Sequence, residues 1–225
     1  YAGTKISAMV ASALHAHAPD AKTLIEFGCA RSRWLPYFAR EHQLSVTGID
    51  YSDAGCAHAR SALMAAGVSG EIVCADMFSP DDRLRDKFDV AVSFGLVEHF
   101  DDTASILKAI SGYLRPGGII VTVVPNLNGL TGLLQRILSR AMYDLHVPLD
   151  SERLCTAHQA AGLTLLDAGY LLPFNSGAVG YPAGEKSWPK RLFQIALSAT
   201  TMAAFSLDRI GLAPRHNRIT SPYVF

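Results

Sequence analysis

The chain has no Cys-x-x-Cys pair, no excess charge of either sign and no apolar run long enough for a bilayer. Each lack removes a class of function. Four scattered cysteines, Cys29, Cys56, Cys74 and Cys155, predict reduced thiols in a cytoplasmic protein, and the opening residues carry no secretory-leader pattern. Eight histidines are present without metal-ligand spacing. His15 and His17, two positions apart, diverge on a helix, so no metal site is expected. Twenty basic residues balance twenty acidic ones, which leaves no electrostatic case for nucleic acid as a partner. The low-charge stretch 192–207 falls short of the roughly 20 residues of a membrane span. It also contains Gln194, Ser198, Thr200 and Thr201. It reads instead as a sheet-covering helix or as the contact of a homodimer.

What remains is a chain of 225 residues, 49% hydrophobic, able to bury a substantial core. Residues 4–18 place Ile6, Met9, Val10, Ala13, Leu14 and His17 on one helical stripe. A strand then ends at Phe27, and a helix over 32–41 follows with Ser32 as N-cap and Pro36 in its first turn. Strands are expected over 45–50, 71–76, 87–94 and 119–124. Between them lie helices over 53–66, closed by Gly67, and over 103–114. Beyond Pro125 the pattern loosens: a helix or lid over 126–140, a helix over 151–161, a strand over 163–172, a Gly/Pro-rich loop over 173–189, a helix over 190–210 and a last strand over 218–225.

Strands alternating with helices predict a parallel sheet with right-handed crossovers, whose ligands bind at the carboxyl ends of the strands. Glu26, Gly28, Asp50, Asp76, Phe94 and Gly95 all fall at such ends. Gly28 opens a tight turn after the first strand, and Asp50 follows roughly 20 residues later, where a ribose diol would sit. The turn departs from three spaced glycines: Ala30 and Ser32 stand at the later positions. That departure, with an acid inside the turn, disfavours a pyrophosphate and favours a positively charged, amino-acid-bearing group. Asp50 and Asp76 have a plainer reading as helix caps or loop carboxylates, and Arg31 as surface charge.

In order along the chain stand Leu24 to Ser32, Gly48-Ile49-Asp50, Ala75-Asp76-Met77, Phe88-Asp89-Val90-Ala91 with Gly95-Leu96-Val97-Glu98-His99, and Leu114-Arg115-Pro116-Gly117-Gly118. Together they resemble the motif series of class I S-adenosylmethionine-dependent methyltransferases, strongly over about residues 20–125. The resemblance implies an α/β fold, a doubly wound, mostly parallel seven-stranded Rossmann-like sheet with helices on both faces and an antiparallel last strand near 219–225. It implies one domain over 1–225, with 1–18 as an N-terminal lid helix and 126–150 plus 173–190 as acceptor-site insertions. It also implies S-adenosyl-L-methionine as cofactor. Glu26, Gly28 and Ala30 would line its methionine part, Asp50 would accept the ribose hydroxyls, and Tyr51 would flank the adenine. Asp76 would accept from the adenine amino group, Met77 would pack on the ring, and Phe94 and Gly95 would lie where sulfonium and acceptor meet.

For catalysis the candidates are His99, His146 and Tyr143, with His99 open to a supporting structural role. For the acceptor they are Asn126, Asn175, Tyr181 and Arg31. The expected activity is methyl transfer to a small-molecule acceptor. Two alternatives stay open. One is an intramolecular cyclase that consumes the same cofactor, releasing methylthioadenosine and a small cyclic amino acid such as azetidine-2-carboxylate. The other is a non-catalytic module that binds adenosyl ligands.

Overall fold

The computed structural model describes residues 2–30, 32–79, 82–179, 188–213 and 215–225, with 188–194 described for backbone alone. Among the described residues, these helices and strands follow one another: α1 (Ala2–His17), β1 (Thr23–Phe27), α2 (Trp34–Glu41), β2 (Ser45–Asp50), α3 (Asp53–Ala66), β3 (Glu71–Cys74), β4 (Phe88–Phe94), α4 (Thr103–Ser111), β5 (Leu114–Pro125), α5 (Leu130–Leu138), α6 (Arg140–Tyr143), α7 (Ser151–Ala160), β6 (Tyr170–Leu171), α8 (Trp188–Arg209) and β7 (Tyr223–Val224). The strands form one seven-stranded sheet in the order β3-β2-β1-β4-β5-β7-β6. β1 pairs in parallel with β2 and β4, and β2 with β3. β7 runs antiparallel to both β5 and β6. The expected sheet with its antiparallel last strand is therefore present.

The chain divides into two compact units. One comprises Met9–Val97 and Ala104–Thr122. β1 and β4 are near-continuous apolar runs because central parallel strands are covered on both faces: Leu24, Ile25 and Phe27 of β1 and Val90, Ala91 and Val92 of β4 are fully buried. Phe27 meets Tyr113 edge to face, with ring centroids 5.0 Å apart. Gly48 admits this packing in β2, since a Cβ there would come within 2.7 Å of the Cys29 sulfur. Asp89 pins the strand starts together. Its carboxylate accepts the backbone N–H groups of Lys22 and Thr23 and the Thr23 hydroxyl, at 2.6, 2.9 and 3.1 Å, and pairs with Arg115. Burial raises the pKa of Asp89, but these donors outweigh it and hold the group below the ordinary carboxylate range.

The other unit comprises Tyr1–Ala8, Glu98–Thr103 and Val123–Phe225. Within it β5 pairs with β7 through Val124 and Pro125 opposite Val224 and Tyr223. Asn126 reinforces that edge: fully buried, it donates both side-chain N–H groups, to the carbonyls of Arg218 and Ser221, each at 2.8 Å. Among the described residues, no helix is long and apolar enough to cross a membrane.

Several expectations are corrected. The strand expected over 163–172 shrinks to β6 and that over 218–225 to β7. A two-residue β7 offers ladder partners to only two facing residues, and Leu165 and Leu166 stay exposed. β5 begins at Leu114 rather than 119. The Pro-Gly-Gly segment reads as a turn from sequence, yet Gly117 takes φ +83° inside the strand, a conformation open to glycine without the Cβ penalty. The cysteines are not all reduced: Cys56 of α3 and Cys74 of β3 form a disulfide, leaving Cys29 and Cys155 free. Spacing conceals this pair, because the turn between α3 and β3 folds two positions 18 apart back onto each other.

Candidate functional site

Two places in the molecule concentrate polar chemistry. The first lies in the Met9–Val97 and Ala104–Thr122 unit, where β1 gives way to α2. Gly28 turns the chain there with φ +70° and donates its N–H to the carbonyl of Ile49 at 3.0 Å. Ser32 then caps α2: its hydroxyl oxygen accepts from the N–H groups of Trp34 and Leu35, at 3.0 and 3.3 Å. The same hydroxyl donates to Glu26 Oε2 at 2.5 Å. Glu26, Gly28, Ala30, Ser32, Arg33, Trp34 and Phe94 line a cavity of about 320 Å³.

Glu26 is only 2% exposed. Burial drives its pKa from the ordinary 4.5 up to about 8, against the opposing pull of the Ser32 hydroxyl and the Leu35 N–H. At neutral pH Glu26 is therefore held towards its protonated form, which a neighbouring cation would ionise. Trp34 stacks on Phe94 with ring centroids 4.7 Å apart and planes 26° from parallel, and the Arg33 guanidinium lies 4.9 Å over Trp34. Neighbouring Cys29 is buried, and its thiol is pushed up to about 12 by burial, then by Glu26 and Asp50. It is an inert packing group.

Asp50 supports this turn from β2. Its Oδ2 accepts the Ala30 N–H and its Oδ1 the Ser52 N–H, each at 2.9 Å. One carboxylate thus ties the cavity's turn to the start of α3. Tyr51 is 87% exposed. Asp76 is exposed and accepts the Phe78 N–H at 3.0 Å, while the Met77 carbonyl accepts from the Tyr113 hydroxyl at 3.0 Å. Gly95 takes φ +72° directly after β4. Of the cofactor-side residues singled out in the sequence, Glu26, Gly28, Ala30 and Phe94 meet in the cavity wall. Trp34 reads from sequence as an aromatic able to stabilise a cation, whereas Ser32 and Arg33 were not singled out for the cavity; their signal was their place between the glycine turn and the start of α2.

The second place lies in the other unit. Glu98, His99 and His146 bring one potential ligand atom each to within 4.8 Å of one another. The two rings are 4.4 Å apart between centroids. The Val147 N–H donates to the Glu98 carbonyl at 2.6 Å, joining two segments that are far apart in sequence. Spacing along the chain could not reveal this set, and the expectation of no metal-ligand cluster is corrected to that extent. Glu98 is 2% exposed, burial lifts its pKa to about 7, and its Oε2 is buried with no hydrogen-bond partner. Desolvation and the neighbouring His146 hold His99 below the ordinary histidine range.

Tyr143 is half-buried in α6, just ahead of His146. Asn126 has spent its donors on β7's approach, leaving a buried Oδ1 without a partner. Asn175 accepts the Gly177 N–H at 2.9 Å and caps a short 3-10 turn. Arg31 and Tyr181 lie outside the described residues.

A family model described as a methyltransferase domain matches residues 3–168. A ubiquinone biosynthesis O-methyltransferase from Aeromonas salmonicida is 27% identical over 154 residues, covering 65% of this chain and 64% of the relative. The chain thus spans less than two thirds of that relative's length. Among solved structures, the geranyl diphosphate C-methyltransferase from Streptomyces coelicolor superposes with TM-score 0.58 at 17% identity, covering 74% of this chain and 65% of that one. An S-adenosylmethionine-dependent methyltransferase from Clostridium acetobutylicum gives TM-score 0.51 at 16% identity, over 58% and 54%. At such identities the structures show a shared fold. The family match covers well over half of the chain and carries the conclusion: this protein belongs to the methyltransferase-domain family, whose cofactor is S-adenosylmethionine.

Proposed function

We propose that the protein transfers the methyl group of S-adenosylmethionine to a hydroxyl oxygen of a small-molecule acceptor. The observation that carries this reading is the buried Glu26 in the wall of a cavity that Trp34 and Phe94 also line, in a chain of this family. A buried acid poised to ionise suits the ammonium of the cofactor's methionine arm, and the stacked Trp34 and Phe94 offer ring faces to a sulfonium. Asp50, Tyr51, Asp76 and Met77 serve the nucleoside in this reading.

The transfer itself is an in-line displacement. An acceptor oxygen attacks the methyl carbon, the carbon–sulfur bond breaks, and sulfur keeps the electron pair as S-adenosylhomocysteine forms. The hydroxyl proton passes to an imidazole of the His99–His146 pair. His99 is biased towards the neutral form that such a step needs. Tyr143, Asn126 through its unpartnered oxygen, and Asn175 complete the acceptor side, with 126–150 as the acceptor-side insertion. An oxygen acceptor is favoured by the O-methyltransferase relative and by the presence of a base. Cytoplasmic residence belongs to the same reading, and the redox poise there would set whether Cys56 and Cys74 remain joined.

The test incubates the protein with methyl-labelled cofactor and a panel of phenolic and aliphatic hydroxyl acceptors. Label on an acceptor with stoichiometric S-adenosylhomocysteine is expected. Methylthioadenosine formed without acceptor would replace the proposal by the cyclase reading. No affinity for adenosyl ligands in calorimetry would overturn both.

A further inference from the structure

Within the Glu98–Thr103 and Val123–Phe225 unit, the cluster at Glu98 has features that proton transfer does not require. We infer that Glu98, His99 and His146 form a three-ligand site for a divalent d-block cation of the zinc class.

The first support is the Glu98 carboxylate. It is 2% exposed, and its Oε2 has no hydrogen-bond partner. A buried polar atom without a partner is costly, and a bound cation would satisfy it. The second support is the tautomer of the His146 ring. His146 Nδ1 lies 2.6 Å from the Met142 carbonyl oxygen. A carbonyl only accepts, so Nδ1 carries the proton and the Nε2 lone pair is left for a metal. Backbone carbonyls that fix ring tautomers in this way are the usual outer shell of metal-binding histidines. The third support is rigidity: the 2.6 Å bond from the Val147 N–H to the Glu98 carbonyl holds the two segments together before any ion arrives.

The donor atoms lie within 4.8 Å of one another. Bonds of about 2.1 Å bring two ligands of one ion no farther than about 4.2 Å apart, so closure asks for a small side-chain rotation. His99, exposed at the surface, is free to supply it. Two imidazoles and one carboxylate select zinc, iron(II), cobalt or nickel over magnesium and calcium, which prefer all-oxygen shells. Three protein ligands also leave a position for water or for a substrate oxygen. The cation and the proton compete for the same lone pairs, so metal-loaded and proton-accepting forms are alternative states of one cluster. Metal affinity should accordingly fall with falling pH.

The test is equilibrium dialysis of the chelator-stripped full chain against Zn²⁺ or Co²⁺, with Mg²⁺ as contrast and the bound metal counted by mass spectrometry. One Zn²⁺ or Co²⁺ per chain is expected, with no comparable Mg²⁺. His146→Ala and His99→Ala, both on accessible side chains, should each weaken binding by more than about 100-fold, the upper range for losing merely an outer-shell partner. An unchanged unfolding midpoint of the metal-free variants shows that the fold is intact. Wild-type protein that retains no Zn²⁺, or His99→Ala and His146→Ala proteins that bind it as wild type does, would overturn the site. Neither result depends on whether methyl transfer is observed.

Discussion

The two units hold their polar chemistry by different means. In the Met9–Val97 and Ala104–Thr122 unit, the cavity is shaped by backbone: a glycine turn, a capped helix start and one carboxylate, Asp50, bonded to two backbone N–H groups. In the other unit the cluster is made of side chains: Glu98, His99 and His146 meet across a single backbone bond from Val147. Backbone-built sites resist change because altering them strains the fold, whereas side-chain clusters can be exchanged while the fold persists. Cofactor grip and acceptor chemistry should therefore separate under mutation.

The sharpest blow to that separation would come from Asp50. Asp50→Ala removes two charge-assisted hydrogen bonds, each worth about 1.5–3 kcal/mol. The unfolding midpoint should fall accordingly, and S-adenosylhomocysteine affinity should fall by about 10- to 100-fold for the loss of one charged hydrogen bond to the ribose, as read by calorimetry. Undiminished affinity would show that the turn does not depend on its support. His99→Ala should act in the opposite way, lowering kcat by about 10² to 10⁴ through loss of a general base while the S-adenosylhomocysteine Kd holds. A parallel loss of cofactor affinity would erase the distinction.

A smaller effect is expected from the disulfide. Cys56 and Cys74, 18 positions apart, both belong to the cavity-bearing unit. Opening a loop of that size costs about 3 kcal/mol. Reductant, or Cys56→Ala with Cys74→Ala, should lower the unfolding midpoint accordingly in denaturant titration. Insensitivity to reductant would mean that the bridge adds nothing to the native state.

The last prediction concerns pH. The folded pKa of Glu26, about 8, lies above its ordinary 4.5, so the folded chain keeps a proton that the unfolded chain releases. Stability from this group is intact below about pH 4.5 and declines as pH rises towards about 8, by up to about 1.4 kcal/mol per pH unit. Glu26→Gln should flatten that slope. Cofactor binding near pH 7 should also release protons, seen as a dependence of calorimetric heat on the ionisation enthalpy of the buffer. A heat independent of buffer would count against a protonated Glu26.

How legible each unit was follows from how it is built. β1 and β4 could be read because strands buried on both faces are written as apolar runs, and α3 because Gly67 closes it. Ser32 could be recognised as a cap, but its second bond to Glu26 depends on how α2 leans back over the turn. β6 and β7 could not be delimited, since two paired residues carry no periodicity. Glu98 reads in sequence as an ordinary solvated or capping acid, and only the fold buries it beside His146. The Cys56–Cys74 bond was hidden for a related reason: pairing is set by the path of the chain between α3 and β3.

Asn126 has a practical bearing on how this chain is handled. Both of its amide hydrogens end on carbonyls from the closing stretch of the protein, at Arg218 and Ser221. Removing 218–225 would strand a buried amide and take away the strand that pairs with β5, so a preparation lacking those residues should be suspected of unfolding before it is judged inactive.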